Sequence, residues 1–111
     1  MREDGKVDYV ELPGGDLPRA KAFYGAAFGW TFTDYGPEYA AFTEGLDGGF
    51  QAEEPPKAPL VILYAHDLEA MEAKVKAAGG QIVKPIFSFP GGRRFHFRDP
   101  AGNELAVWSE G

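Results

Sequence analysis

The chain contains no cysteine, so disulfide bonds and thiol chemistry are excluded. It has no apolar run of about 18 residues, the length that a membrane-spanning helix needs, and no signal-peptide core follows its first residues. Basic residues are scarce: 11 lysines and arginines stand against 17 acidic residues, and the net charge is −6. Because nucleic-acid backbones are bound mainly through lysine and arginine, we expect no nucleic-acid partner. The composition therefore predicts a cytoplasmic protein that binds neither membranes nor nucleic acids.

What the sequence does contain is an internal repeat. Asp16 begins a helix-like segment that ends at Gly29, and further along Asp67 begins a second segment that ends at Gly79. Aspartate at the start and glycine at the end are typical of helix capping. Each segment follows a short apolar stretch and precedes two or three stretches with strand-like alternation. The sequence therefore repeats one strand–helix–strands unit.

Length indicates how the two repeats are organised. A chain of 111 residues is one ordinary domain, and each half is too short to bury an adequate core alone. We therefore predict a single domain, 1–111, made of two modules at 6–51 and 60–109. The segment 52–59 holds prolines and acidic residues, and it predicts an extended linker between the modules.

Two motifs give the repeat a family resemblance. One runs from Asp16 to Tyr24 after a strand, and the other runs from Phe97 to Leu105 near the end of the chain. Together with the duplication, they resemble the vicinal-oxygen-chelate superfamily, which includes glyoxalase I, bleomycin-resistance proteins and extradiol dioxygenases. The resemblance implies an α+β fold in which two βαβββ modules form a curved, cup-shaped mixed sheet with the helices on its outer face.

The resemblance also implies where a metal would bind. Enzymes of the superfamily hold a divalent metal through His and Glu on the cup-facing side of the first and last strand of each module. The matching positions here are Tyr9, Val61 and Ala106, with a fourth in the segment 48–51. A phenol, an isopropyl group and a methyl group cannot replace these ligands, so we predict no metal cofactor.

An alternative ligand set stays open. Glu11, His96 and Glu104 could together hold zinc, nickel, manganese or iron. We favour an ordinary structural arrangement of the same three residues, in which His96 is hydrogen-bonded among carboxylates that neighbouring arginines balance.

The resemblance implies a function in general terms. We expect a glyoxalase-like protein that binds a small apolar or aromatic molecule in its cup without a metal. The alternative is a metal-dependent lyase, isomerase or dioxygenase with non-standard ligands, and a third interpretation is an assembly module whose cup is filled by its own side chains. Whether the protein is an enzyme therefore stays open. A homodimer is expected because members of the superfamily commonly complete their cups across two chains.

Strand alternation selects the residues that would line the cup, because every second side chain of a strand lies on the same face. The ten candidates are Tyr9, Glu11, Phe50, Val61, Leu63, Arg94, His96, Glu104, Ala106 and Trp108.

Overall fold

A computed structural model describes residues 2–43, 45–52 and 58–110. It contains eight strands and two helices in these residues: β1 (Val7–Pro13), α1 (Leu17–Phe28), β2 (Thr33–Asp34), β3 (Tyr39–Phe42), β4 (Gly48–Gln51), β5 (Leu60–Tyr64), α2 (Leu68–Ala77), β6 (Gln81–Phe89), β7 (Gly92–Arg98) and β8 (Glu104–Ser109). The order is βαβββ twice, so the predicted α+β class is confirmed. The centre of the predicted linker, 53–57, lies outside the described residues. Neither helix is long and apolar enough to cross a membrane.

The chain forms two compact units. The amino-terminal unit is Tyr9–Pro59, and the carboxy-terminal unit combines Leu60–Gly111 with Met1–Asp8. The first residues belong to the carboxy-terminal unit because they bond to β5. The Gly5 amide donates to the Tyr64 carbonyl oxygen at 2.8 Å, and the Tyr64 amide donates to the Lys6 carbonyl oxygen at 3.2 Å.

The amino-terminal unit packs α1 on one face of a four-stranded sheet. The strand order is β2-β3-β4-β1, with β1 parallel to β4 and the other neighbours antiparallel. The side chain of Asp16 accepts a hydrogen bond from the Arg19 amide at 3.2 Å and caps the helix, as predicted. Gly29 ends the helix in the left-handed conformation, with φ of 74°. The buried core of this unit is Leu17, Ala40, Phe42 and Phe50.

The carboxy-terminal unit repeats this arrangement with longer strands. Its strand order is β5-β8-β7-β6, with β5 parallel to β8. Asp67 caps α2 by accepting a hydrogen bond from the Ala70 amide at 3.0 Å. Its buried core is Ala65, Leu68, Phe95 and Val107. The pairing of β6 with β7 shifts register on both sides of Lys84, and Pro85 follows at once, where the missing N–H cannot donate to the ladder.

Two glycines of the amino-terminal unit make a matched pair of alanine substitutions. In α1, a Cβ added at Gly25 would meet the Trp30 carbonyl oxygen at 3.6 Å, an ordinary contact. In β4, a Cβ added at Gly48 would lie 2.5 Å from the Val10 carbonyl oxygen and 2.6 Å from the Phe42 ring. We expect Gly25→Ala to raise the free energy of unfolding by about 0.5–1 kcal/mol through helix propensity. Gly48→Ala should lower it by about 1–3 kcal/mol through overpacking.

Urea unfolding followed by circular dichroism measures both changes. An unchanged or raised stability of Gly48→Ala would contradict the close approach of β1 to β4.

Candidate functional site

In the carboxy-terminal unit, β7 and β8 present two chemically different faces. Phe95 and Val107 pair across the strands and pack in the core beneath α2. The alternate residues lie on the opposite face, where His96 pairs with Ala106. We call this the site face. Five predicted site residues share it: Arg94, His96, Glu104, Ala106 and Trp108.

The prediction that the side chains of Val61 and Leu63 line the cup is wrong. Val61 is in register with Leu105 and Leu63 with Val107, so both lie on the side of α2, and Leu63 packs against the buried core. The side chains of Ile62 and Tyr64 occupy the site face of β5 instead. Because the side-chain period of a strand is two, an error of one residue in the count back from Asp67 moved the prediction to the other face.

Phe50, which was also predicted to line the cup, lies on the opposite face of β4. It is in register with Leu12 and Ala40 and is 2% exposed in the core beside α1. In the segment 48–51, Gly49 and Gln51 therefore face away from α1. Neither of these two residues supplies a His or Glu ligand at the fourth position that the resemblance implied.

Tyr9 and Glu11 lie in the amino-terminal unit, on the face of β1 away from α1. Glu11 is in register with Gly49, and the ring of Tyr39 lies so close over Gly49 that it leaves no room for a Cβ there. The hydroxyl groups of Tyr9 and Tyr39 are hydrogen-bonded to each other. The hydroxyl group of Tyr9 is thus paired with the phenol group of Tyr39.

His96 forms the central polar contact of the site face. Its Nδ1 lies 3.1 Å from Glu104 Oε2, and its side chain is 5% exposed. The Nε2 atom is buried and has no hydrogen-bond partner among the described residues. The ring of Phe87 lies beside the imidazole, with the ring centroids 5.8 Å apart and an interplanar angle of 32°. One imidazole nitrogen is therefore engaged, and the other has no partner among the described residues.

Burial lowers the pKa of His96 below its ordinary value. The hydrogen bond to Glu104 opposes this effect, whereas the positive charges of Arg94 and Lys84 add to it. Because the net shift of the pKa is downward, the imidazole is neutral at pH 7.

Trp108 is fixed by two residues from the start of the chain. Its indole Nε1–H donates to Asp8 Oδ2 at 2.8 Å. Arg2 Nη1 donates to both carboxylate oxygens of Asp8, at 2.7 and 2.8 Å, and the guanidinium lies 5.0 Å from the centroid of the indole ring. This contact stabilises one orientation of the largest aromatic side chain on the site face.

A second arginine lies among aromatic rings. The guanidinium carbon of Arg94 is 5.5 Å from the ring centroids of both Phe87 and Phe89. Its neighbour Arg93 points the other way, where Nη1 and Nη2 donate to the carboxylate of Glu69 on α2 at 2.6 and 3.2 Å. The site face thus combines aromatic surface with cationic groups.

Several residues of this face were not predicted from the sequence. Arg2 and Asp8 were missed because their partner, Trp108, is distant along the chain and the sequence shows no signal linking them. Phe87 and Phe89 on β6 were not among the predicted site residues; their two-residue spacing was the available signal.

The described residues contain no group of three or more His, Cys, Asp or Glu side chains that could hold a metal ion. Of the alternative ligand set, His96 and Glu104 are in contact, whereas Glu11 belongs to the amino-terminal unit.

Comparison with known proteins fixes the family. The model of the Glyoxalase/Bleomycin resistance protein/Dioxygenase superfamily matches residues 6–107. The chain belongs to this superfamily. It is 30% identical to the protein named "Putative glyoxylase CFP32" of Mycobacterium tuberculosis, over 94% of this chain and 45% of that protein. The chain thus spans about half the length of the curated relatives it matches.

Solved structures share the fold of this superfamily member. Methylmalonyl-CoA epimerase from Mycobacterium tuberculosis gives a TM-score of 0.73 at 14% identity, covering 100% of this chain and 91% of that one. The Mn(II)-bound glyoxalase from Novosphingobium aromaticivorans gives a TM-score of 0.67 at 21% identity, covering 99% of this chain and 40% of that one. At these identities the likeness establishes the fold alone.

Two ion pairs of similar length test the importance of burial at the site face. In the Arg2–Asp8 pair, at 2.7 Å, the side chain of Asp8 is 11% exposed. In the Lys21–Asp34 pair, at 2.8 Å, the side chain of Asp34 is 59% exposed. Asp8→Ala should lower the free energy of unfolding by about 1.5–3 kcal/mol, because it leaves the Trp108 indole N–H and a guanidinium without their acceptor. Asp34→Ala should change it by about 0.5 kcal/mol or less.

Urea unfolding of both variants measures the difference. Equal effects of Asp8→Ala and Asp34→Ala would contradict the coupling of Asp8 to Trp108.

The lowered pKa of His96 predicts a dependence of stability on pH. The unfolded chain takes up a proton at His96 near pH 6.5, whereas the folded protein does so only at a lower pH. The contribution of neutral His96 to folding stability is therefore fully present above the pKa that this residue has in the unfolded chain. We expect stability to fall as the pH drops from about 6.5 toward the folded pKa, before carboxylates with an ordinary pKa near 4 titrate.

Urea midpoints measured across this pH window test the prediction. His96→Phe should remove the decrease, and His66→Gln, which lacks the other of the two imidazoles of the chain, is the matched control that should retain it. A decrease that persists in His96→Phe would show that another group causes it.

Proposed function

We propose that this glyoxalase-like chain binds a small aromatic molecule on its site face and needs no metal to do so. The observation that carries the proposal is the pair Ile62 and Ala106. These residues are in register on adjacent parallel strands of the site face, both are buried, and neither can coordinate a metal. They occupy the first and last strand of the module, where the resemblance implied His and Glu.

The aromatic content of the same face supports a ligand with a ring. Phe87 and Phe89 lie on β6, and Phe89 is 6.3 Å from Trp108 between ring centroids. Tyr64 meets Trp108 edge to face at 5.6 Å. Ligand sites are typically lined by aromatic groups with a few fixed polar atoms, and His96 supplies such an atom here.

A metal-dependent lyase, isomerase or dioxygenase is the second candidate. The contact of His96 with Glu104 favours it, because these side chains are two of the three donors in the alternative ligand set. The fold is shared with a Mn(II)-bound glyoxalase, which is compatible with either function. Zinc, nickel, manganese and iron(II) are the metals to test.

Anisole and EDTA together test the first proposal. Anisole offers an aromatic ring without a hydrogen-bond donor, and its binding is followed by chemical-shift titration of the ¹⁵N-labelled protein. We expect binding to be unchanged by EDTA or by added metal. Phe87→Leu should weaken it about tenfold, as loss of a ring from an aromatic site does. Phe23→Leu, at a 58%-exposed ring on α1, is the matched control and should bind like the wild type.

Elemental analysis of untagged protein, before and after incubation with each metal, decides between the candidates. Retention of one metal per chain, or anisole binding only in the presence of a metal, would favour the enzyme and overturn the metal-free proposal. Absence of binding in every condition, both of anisole and of the parent phenol, would overturn it as well.

The homodimer and the cytoplasmic location stay predictions. Light scattering of the purified chain measures the first, and fractionation of cells that express it at native level measures the second.

A further inference from the structure

The Nε2 atom of His96 is a buried polar atom on the site face. It is buried in a side chain that is 5% exposed, and it has no hydrogen-bond partner within the part of the chain that the structure describes. Leaving such an atom unpaired disfavours folding, and buried polar groups in proteins are rarely left so. An atom of this kind on an otherwise aromatic face points to a ligand with a complementary group.

Glu104 determines which group is complementary. Its carboxylate can only accept a hydrogen bond, so the neutral imidazole donates its proton through Nδ1, at 3.1 Å from Oε2. The remaining nitrogen, Nε2, then carries the lone pair and acts as an acceptor. The partner of Nε2 must therefore be an O–H or N–H donor.

Burial is the main factor that keeps the imidazole neutral. The positive charges of Arg94 on β7 and Lys84 on β6 act in the same direction, whereas Glu104 opposes them. Arg98 Nη2 lies 3.9 Å from Glu104 Oε1, within ion-pair distance. The imidazole is thus held neutral, with its acceptor nitrogen at the site face.

Phe87 adds the second requirement. Its ring lies 5.8 Å from the imidazole, and Arg94 lies over the same ring. A ligand that pairs with Nε2 therefore has to place its donor next to the Phe87 ring, and a donor attached directly to an aromatic ring does so. A phenolic hydroxyl satisfies both requirements, and with an ordinary pKa near 10 it stays protonated and donates.

We propose that His96 Nε2 accepts a hydrogen bond from the hydroxyl group of a phenolic ligand, so that phenols are the ligand class of this site. The inference rests on the proposed function and goes beyond it, because aromatic binding alone requires no hydroxyl group. No proton is transferred in the complex.

Phenol and anisole form the probe pair, since they share the ring and the oxygen but only phenol has the O–H donor. We expect phenol to bind the wild-type chain about tenfold more tightly than anisole, as one well-placed hydrogen bond provides. His96→Phe keeps a ring beside Phe87 but removes the acceptor, so the ratio of the two dissociation constants should fall close to one while anisole binding remains. His66→Gln should keep the wild-type ratio.

A second measurement on the wild-type chain does not depend on the folding of a variant. The ¹⁵N shift of His96 Nε2 should be that of an unprotonated nitrogen and should move on addition of phenol, but not of anisole. His66, the other imidazole, is exposed and provides the internal control in the same spectrum.

Equal affinities for phenol and anisole, with no shift at Nε2, would overturn the inference and leave aromatic binding intact. Failure of both probes to bind would overturn the proposed function and the inference together. A tenfold preference that survives in folded His96→Phe would assign the hydroxyl to another residue and overturn the inference alone.

Discussion

The rest of the site depends on the pairing of β7 with β8. Phe95 and Val107 must be buried against α2 because the carboxy-terminal unit has its core there. Because successive side chains of a strand lie on opposite faces, His96 and Ala106 are then placed on the face away from α2. Hydrophobic burial on one side of these strands therefore positions the polar groups on the other.

The site face combines fixed and unsatisfied polar groups. Asp8 is surrounded by donors from Arg2 and Trp108, so it acts as a structural link between the start of the chain and β8. His96, by contrast, is satisfied at one nitrogen only. A buried network with one open acceptor is typical of a surface that is completed by a ligand, because each member that is already paired restricts the geometry of the last.

Membership of the superfamily sets limits on function without determining it. The same fold occurs in an epimerase and in a Mn(II)-bound glyoxalase, so chemistry in this fold depends on the side chains that a given chain carries. On the site face of this chain, Ile62 and Ala106 are apolar side chains in register on adjacent strands. His96 and Glu104, on neighbouring strands, are within hydrogen-bonding distance of each other.

The sequence by itself determined the local features of this protein. Aspartates at 16 and 67 cap the two helices, and strand alternation correctly placed Arg94 and His96 on one face of β7. These signals are local, since a cap or an alternating strand involves neighbours in the chain. Only the tertiary structure decided the register of β5, the burial of Phe50 and the link from Asp8 to Trp108. Each of these depends on a partner distant along the chain, and a shift of one residue in a strand reverses its faces without any change in composition.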